Sequence, residues 1–355
     1  MALQEYECPA CGGAMEFNPK TQKLKCPYCD SQFDVKDYVA NHNSNSEGEA
    51  ADEYNSSSQT SEDSQPLFVY KCGSCGGEIL ATESLGSTKC PFCSNNVVVQ
   101  EKFTGQFKPD AIIPFKHTKK EAEETYRKYV ISKKLVPKVF LNENHIDEIK
   151  GVYVPFWLFD ATQSFNGSYE CTTTKTWSDS KYIYTKTNFY NVERAGTESF
   201  QYVPVDGSKE MPDDLMESLE PFDHNEMVPF NMGYLAGFLA NKYNVDATAS
   251  KPRALERMSA SISADFRSTI SKYSSVRTLH ENTATESLSH KYALYPVYIL
   301  NTTWQGKNYL FAMNGQTGKF IGNLPCSTAK ALKYYLPIGT ILSVLLYVLY
   351  LMFLA

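Results

Sequence analysis

The sequence lacks a basic excess. Its 34 Lys and Arg stand against 40 Asp and Glu, a formal charge of −6. A protein that mainly coats nucleic acid ordinarily presents a basic domain, so that class is disfavoured from the outset. Trp is scarce at 3 residues, yet 24 Tyr and 20 Phe are more than a disordered chain would carry. The common catalytic motifs are missing: no GxxxxGK[ST], HExxH, GxSxG or GxGxxG occurs. Gly306-Lys307 and Gly318-Lys319 lack the upstream glycine and the following Ser or Thr of a phosphate loop. His145-Ile-Asp-Glu148 and Asp223-His-Asn-Glu226 gather ligand-type residues without metal-motif spacing, and read as solvated loop or cap residues. The expectation is a protein that is not an enzyme and has no catalytic residue. A deep pocket with convergent titratable groups would be needed to argue otherwise. No Lys/Arg-then-apolar leader opens the chain, which begins MALQEYECPACGG.

One stretch lacks nearly everything a core requires. Residues 41–66 hold six acids, no Lys or Arg, and no Val, Ile, Leu or Phe. Such a segment cannot bury enough apolar surface to offset its ordering entropy, and reads as a disordered acidic linker. Its charge equals the whole acidic excess, so the remainder of the chain is close to neutral.

The ten cysteines are informative through spacing. Cys8-Pro-Ala-Cys11 is followed after 14 residues by Cys26-Pro-Tyr-Cys29, and Cys72-Gly-Ser-Cys75 after 14 residues by Cys90-Pro-Phe-Cys93. All four positions recur at an offset of 64, with matching neighbours (CPACGGAM and CGSCGGEI), which indicates a duplicated module. Two CxxC turns joined by a hairpin place four thiolates around one tetrahedral Zn²⁺ and leave no open position for catalysis. Gly12, Gly13, Gly76 and Gly77 permit the tight turn in which backbone N–H groups point at sulfur. Each module has only about 30 residues, too few to fold on burial alone, and zinc supplies about 10–16 kcal/mol in comparable sites. The expected cofactors are therefore two structural Zn²⁺ ions, with iron in a tetrathiolate site also chemically open. CPYC by itself resembles a redox pair, but it has here a partner CxxC and no strand–helix setting. Cys171 and Cys326 stand alone and read as small buried hydrophobes. Tyr28, Phe33, Phe68, Tyr70 and Phe92 read as the mini-cores of the ribbons. Because each zinc tetrathiolate adds negative charge, phosphate binding by the ribbons is disfavoured and protein docking preferred.

The central region, 103–329, reads as an α+β domain. Thr118 and Glu121 fit a capping box before EAEETYRKYVISKK. From Val152 to Val205 the chain is rich in Tyr, Phe, Thr and Val, with turn signals at Asn166-Gly167 and around Ser178–Ser180, predicting a run of antiparallel strands. A helix fits Arg253–Lys272, with Leu255, Met258, Ile262, Phe266 and Ile270 on one face. Two strands follow around a Gln305-Gly306 turn, with a loop at Asn314–Gly318.

After Lys333 the sequence carries no charge through Ala355. A helix of about 22 residues reaches roughly 33 Å, enough for a hydrocarbon core of about 30 Å. Tyr334 and Tyr335 fall at an interfacial belt, and Pro337 and Gly339 are tolerable near one end. The competing reading is a buried core helix or a pair of strands. Lys319, Lys330 and Lys333 precede the span, so the positive-inside rule leaves the N-terminal bulk in the cytoplasm. The predicted organisation is multidomain. It comprises two small tetracysteine zinc ribbons (1–40 and 67–102), the linker between them (41–66), an antiparallel-sheet α+β domain (103–329) and one C-terminal transmembrane helix (334–355).

The paired ribbons with the CPxCGG…KCPYC pattern, residues 137–160 (PKVFLNENHIDEIKGVYVPFWLFD), residues 309–320 (YLFAMNGQTGKF) and the hydrophobic C-terminus occur together. In this combination the chain resembles bacterial membrane proteins of the transcription-factor-IIB-type zinc-ribbon-containing family, common in Firmicutes. The resemblance implies a membrane-anchored adaptor or scaffold in membrane-stress organisation. Its implied partners are a second membrane protein and a flotillin-type (SPFH) protein recruited to the bilayer, with nucleic acid disfavoured. Other members carry primosomal-helicase or polymerase-subunit labels, which supports the alternative of a membrane-tethered nucleic-acid-binding regulator. The residues the resemblance transfers are the eight paired cysteines, and no catalytic residue.

Overall fold

The computed structural model describes residues 3–42, 67–71, 78–82, 85–89, 96–99, 108–141, 149–209 and 211–354. Short strands β1 (Leu3–Glu5), β2 (Glu16–Asn18), β3 (Lys23–Lys25) and β4 (Gln32–Phe33) and helix α1 (Val35–His42) open the chain. Two hairpins follow, β5 (Leu67–Lys71) with β6 (Glu78–Thr82), and β7 (Leu85–Lys89) with β8 (Asn96–Val99). β9 (Ala111–Ile112) and helix α2 (Lys119–Ser132) lead into two long strands, β10 (Lys150–Ser178) and β11 (Ile183–Asp206). Helix α3 (Asp213–Ser218), β12 (Val228–Pro229), β13 (Leu239–Asn241) and helix α4 (Ala247–Ser268) come next. The chain then forms β14 (Ser275–Trp304), β15 (Lys307–Asn314), β16 (Phe320–Gly322) and helix α5 (Thr328–Leu354).

Eleven of these strands build a largely antiparallel sheet whose main path runs β1-β8-β7-β13-β10-β14-β15-β16, while β2-β3-β4 and β5-β6 form two small separate sheets. β8 pairs with β1 and β7 with β13, so strands from both cysteine-bearing segments join the central sheet. Helix α1 extends to His42, inside the stretch expected as linker, while 43–66 lies outside the described residues.

The composition of β10 explains the architecture. Residues 152–159, VYVPFWLF, are apolar without interruption because both faces of the sheet are covered there. Tyr153, Trp157 and Phe159 enter a core with Tyr126 and Val130 of α2, while Val152, Val154, Phe156 and Leu158 enter a second core with Met216 of α3 and Leu219 at its C-cap. From Thr162 onward the strand alternates polar and apolar. Phe165, Tyr169 and Cys171 pack under Ile262 and Phe266 of α4, and the opposite face carries Ser164, Asn166 and Ser168. β10, β11 and β14 thus leave the body as a three-stranded arm backed by α4, with Phe165 stacked on Phe266 at 4.6 Å.

Two expectations are corrected here. Asn166-Gly167 is not a turn: β10 runs through it in register with Ala195 and Arg194 of β11. A Cβ on Gly167 would lie 2.7 Å from the Tyr169 hydroxyl and 2.9 Å from the Phe165 ring, so the glycine lets two same-face aromatics close over it. The other expected turn, around Ser178–Ser180, does form: β10 ends at Ser178, and Asp179 Oδ1 accepts from the Lys181 and Tyr182 N–H groups, both at 2.8 Å. Helix α4 begins six residues before the expected start, because Asp246 caps Ala249 N and Pro252 is accommodated inside the helix. The capping box on α2 forms as expected, as does the Gln305-Gly306 turn.

Candidate metal centre

Two hairpin knuckles converge at the N-terminus. In the first, Cys8 N donates to Gly13 O and Gly12 N donates to Cys8 O, at 2.7 and 2.8 Å. The second repeats the pattern: Cys26 N to Ser31 O at 2.9 Å, Asp30 N to Cys26 O at 3.0 Å. Gly12 (φ 71°) and Asp30 (φ 59°) therefore hold equivalent left-handed positions, the second filled by one of the residue types best able to adopt it. An ion pair from Lys25 Nζ at 2.8 Å holds Asp30 and lowers its carboxyl pKa.

The turns bring Cys8, Cys11, Cys26 and Cys29 together, with all four Sγ atoms within 4.8 Å of one another. Cys8–Cys29 and Cys11–Cys26 are each 3.5 Å apart. A tetrahedral ion with bonds of about 2.3 Å needs sulfur–sulfur edges of about 3.8 Å, so the four thiols fit a metal ion. Cys8 and Cys26 are buried, Cys11 and Cys29 exposed. The Ser31 hydroxyl, 3.2 Å from Cys29 Sγ, and the Ser31 backbone bring that thiol down to about 6. At Cys11 the Gly13 N–H favours the thiolate, but the neighbouring Cys29 and Cys26 sulfurs outweigh it and push the thiol up to about 12. Four sulfur ligands this close together could hold a metal cation, which would favour the thiolate form of each.

The centre is seated on the body. Phe17 packs edge-on against Tyr234 at 5.2 Å and its N–H donates to Ala236 O at 2.9 Å. Gln22 Nε2 donates to Phe115 O at 2.8 Å, and Lys20 pairs with Glu121 of α2 at 2.6 Å. That cation, with the Thr118 cap, holds the Glu121 carboxyl down near 2. Tyr6, Cys8, Met15, Phe17, Leu24 and Cys26 are thereby continuous with the core of the central sheet.

Other site expectations fare variously. Cys72, Cys75, Cys90 and Cys93, with Gly76 and Gly77, lie outside the described residues. So do His145, Asp147 and Glu148, and the side chains of Phe68, Tyr70 and Phe92. Tyr28 is no mini-core residue: it is 71 % exposed and its ring caps Gly13. Phe33 is half-buried beside Tyr38. Cys171 is buried as expected, whereas Cys326 is exposed. Asp223 is a cap, accepting from Asn225 N, and His224 Nε2 lies 2.6 Å from the Tyr295 hydroxyl. Burial lowers the pKa of that imidazole. Glu226 pairs with Lys116 at 3.0 Å and accepts from Gln316. A half-open cleft of about 250 Å³ lies beside His224, with Tyr202, Glu220 and Arg257 in its wall. Arg257 is committed there to Glu220 at 2.7 Å and to the Pro204 carbonyl, which makes it a structural strut.

Sequence reasoning missed three features: the left-handed Asp30, the Ser31 hydroxyl beside Cys29, and the Phe17 seat. For Asp30 and Ser31 a signal existed, since they occupy the places of Gly12 and Gly13 after the second Cys.

Helix α5 completes the picture. Residues Thr328–Phe353 form a 26-residue helix of mean hydropathy 2.2, long and apolar enough to cross a membrane, and its apolar stretch is not buried against the described residues. It begins earlier than expected, so Lys330 and Lys333 lie within its first turns.

Fold and site together define a sheet-rich protein with an N-terminal tetracysteine metal-type centre and one C-terminal apolar helix. Compared with known proteins, the chain is 32 % identical over 334 residues to the uncharacterized protein YdjG of Bacillus subtilis (strain 168), a match spanning 93 % of this chain and 92 % of the relative. The chain belongs to the YdjG family. No protein-family model matches it, and no solved structure does.

Proposed function

We propose that the chain is a zinc-loaded, membrane-anchored adaptor whose bulk faces the cytoplasm and whose arm docks a partner protein, rather than an enzyme. The observation that carries this reading is the arm tip. Trp177, Tyr182, Ile183 and Phe189 are 52–77 % exposed around the β10–β11 turn, with Trp177 stacked on Tyr184 at 5.7 Å. By register Trp177 and Tyr184 share one face of the ribbon and Ile183 and Phe189 the other, so apolar side chains are exposed on both sides of the tip, as at protein-binding surfaces. Among the described strands β11 pairs with β10 alone, so its outer edge is available for strand addition.

The tetrathiolate suits a structural role, since four protein ligands leave zinc no position for substrate. Pairing of the second CxxC set around a second Zn²⁺ follows from the duplication. α5 supplies the anchor, and the lysines before it favour a cytoplasmic body. The family resemblance points to a flotillin-type protein or a second membrane protein as partner.

The test is capture from native membranes by the full chain and by a variant carrying Trp177→Ser and Phe189→Ser. Enrichment of a membrane or flotillin-type protein that the variant loses is expected. Enrichment of nucleic acid that falls steeply with salt, with no protein partner, would instead support the ribbon-borne regulator.

A further inference from the structure

The fold gathers positive charge where α5 leaves the body. Residues 125–138 contain Arg127, Lys128, Lys133, Lys134 and Lys138 and no Asp or Glu; residues 319–355 contain Lys319, Lys330 and Lys333 and again no acid. These segments are nearly two hundred positions apart, and the structure ties them together. Tyr129 of α2 donates to Gly322 O at 2.6 Å and packs on Phe320 at 4.9 Å. Ser327 N donates to Leu135 O at 2.8 Å, and Lys330 Nζ to Val136 O at 2.6 Å. The C-terminal end of α2 is thus fixed beside the first turn of α5. Lys128 of α2 and, just past its end, Lys133 and Lys134 are exposed, and Ile131 is exposed at 68 %, in contrast to the inward Tyr126 and Val130.

The distances suit a membrane surface. If the uncharged part from Tyr334 fills the hydrocarbon, about 21 helical residues give roughly 32 Å against the core's ~30 Å. Ser327 then stands only about 10 Å above the hydrocarbon boundary, at seven residues of about 1.5 Å. The headgroup layer occupies roughly half of that height, and the Debye length at physiological salt is about 8 Å. Lys133 and Lys134, next to Leu135, therefore lie within electrostatic reach of the headgroups, and Ile131 is the apolar side chain that such an interface accepts.

We propose that the C-terminal half of α2, the Lys133–Lys134 segment after it and the first turns of α5 form one bilayer-docking surface for anionic phospholipid, with Lys128, Lys133, Lys134 and Lys333 facing headgroups, Ile131 inserted between them and Lys330 clamping the surface to the Val136 carbonyl. This rests on the anchor reading of α5. Docking would fix the tilt of the body on the membrane and hence where the arm points. A lysine near an anionic surface is worth about fivefold in binding, so three lysines together give on the order of a hundredfold.

The test uses the full chain and a Lys128→Gln, Lys133→Gln, Lys134→Gln variant, offered to nanodiscs and vesicles of phosphatidylcholine with or without phosphatidylglycerol. Retention after a high-salt wash reads the anchor, and hydrogen exchange of α2 reads the surface. The expected result is salt-resistant retention of both proteins, with α2 amides after Thr125 exchanging at least tenfold more slowly in phosphatidylglycerol, an effect lost in the variant and in high salt. Retention with lipid-independent exchange would overturn the docking surface and leave the anchor standing. Phosphatidylglycerol binding that salt reverses, and that the variant loses about a hundredfold, would overturn the anchor and keep the surface. No binding to either lipid would overturn both.

Discussion

The ring of Tyr28 lies against the Cα of Gly13, so close that a Cβ there would be 2.5 Å from Tyr28 Cδ2. One knuckle of the metal centre thus covers the other. Gly13→Ala is expected to weaken metal retention, and Tyr28→Ala in the same chain to restore it, because the three atoms nearest that Cβ all belong to the exposed ring. Gly12→Ala differs in kind. Nothing stands within 4 Å of that Cβ, but φ is +71°, so the cost is backbone strain of about 1–2 kcal/mol that Tyr28→Ala leaves unchanged. Chelator competition on the four proteins reads the difference. Equal rescue of both glycine variants would refute the assignment.

Metal content follows from the duplicated motif. The full chain should carry two zinc ions by elemental analysis, and Cys8→Ser should remove one of them. Finding iron, or a single ion in the unmodified chain, would contradict the paired-site reading. Removing the first ion should also loosen the Phe17 seat on Tyr234, read as faster exchange of the Phe17 amide.

The arm depends on the helix behind it. Ile262 is fully buried with Phe165, Cys171, Val192 and Ile270. Ile262→Ala should cost about 2–4 kcal/mol of local stability and speed exchange along β10 and β11 around Phe165 and Val192, while β2–β4 stay protected. Uniform exchange change through the whole chain would show that arm and body unfold as one unit.

Asp206 sets a pH dependence of definite sign. Burial, then the neighbouring Asp213 carboxylate, raise its pKa to about 8, against about 3.9 in an unfolded chain. Between those values the folded protein keeps a proton that the unfolded chain releases, so this group's contribution falls as pH rises from about 4 to about 8. Asp206→Asn should flatten that limb and raise stability at pH 8. Thermal melts across the range measure it, and an unchanged slope would remove Asp206 as its source.

Much of the local chemistry is legible in the sequence. The four N-terminal cysteines, the Thr118–Glu121 box, the Lys307–Asn314 strand and the apolar tail are specified by spacing over a few residues, where one turn or one helical period decides the outcome. Asn166-Gly167 misleads because the dipeptide is the commonest hairpin signal, while its use here depends on Phe165 and Tyr169 meeting across the strand. Tyr28 misleads because aromatic character says nothing about which face of a knuckle carries the ring.

The sequence by itself determined that a tetracysteine centre would form and that an uncharged helix of membrane length would close the chain, since both depend on short-range periodicity and side-chain chemistry. Tertiary structure decided that the centre is seated on the body through Phe17 and Lys20, that β10, β11 and β14 extend as one arm under α4, and that Lys133 and Lys134, just past α2, stand at the base of α5. Each of these joins residues far apart in the chain, where register and complementary packing select the partner and no local pattern encodes the choice.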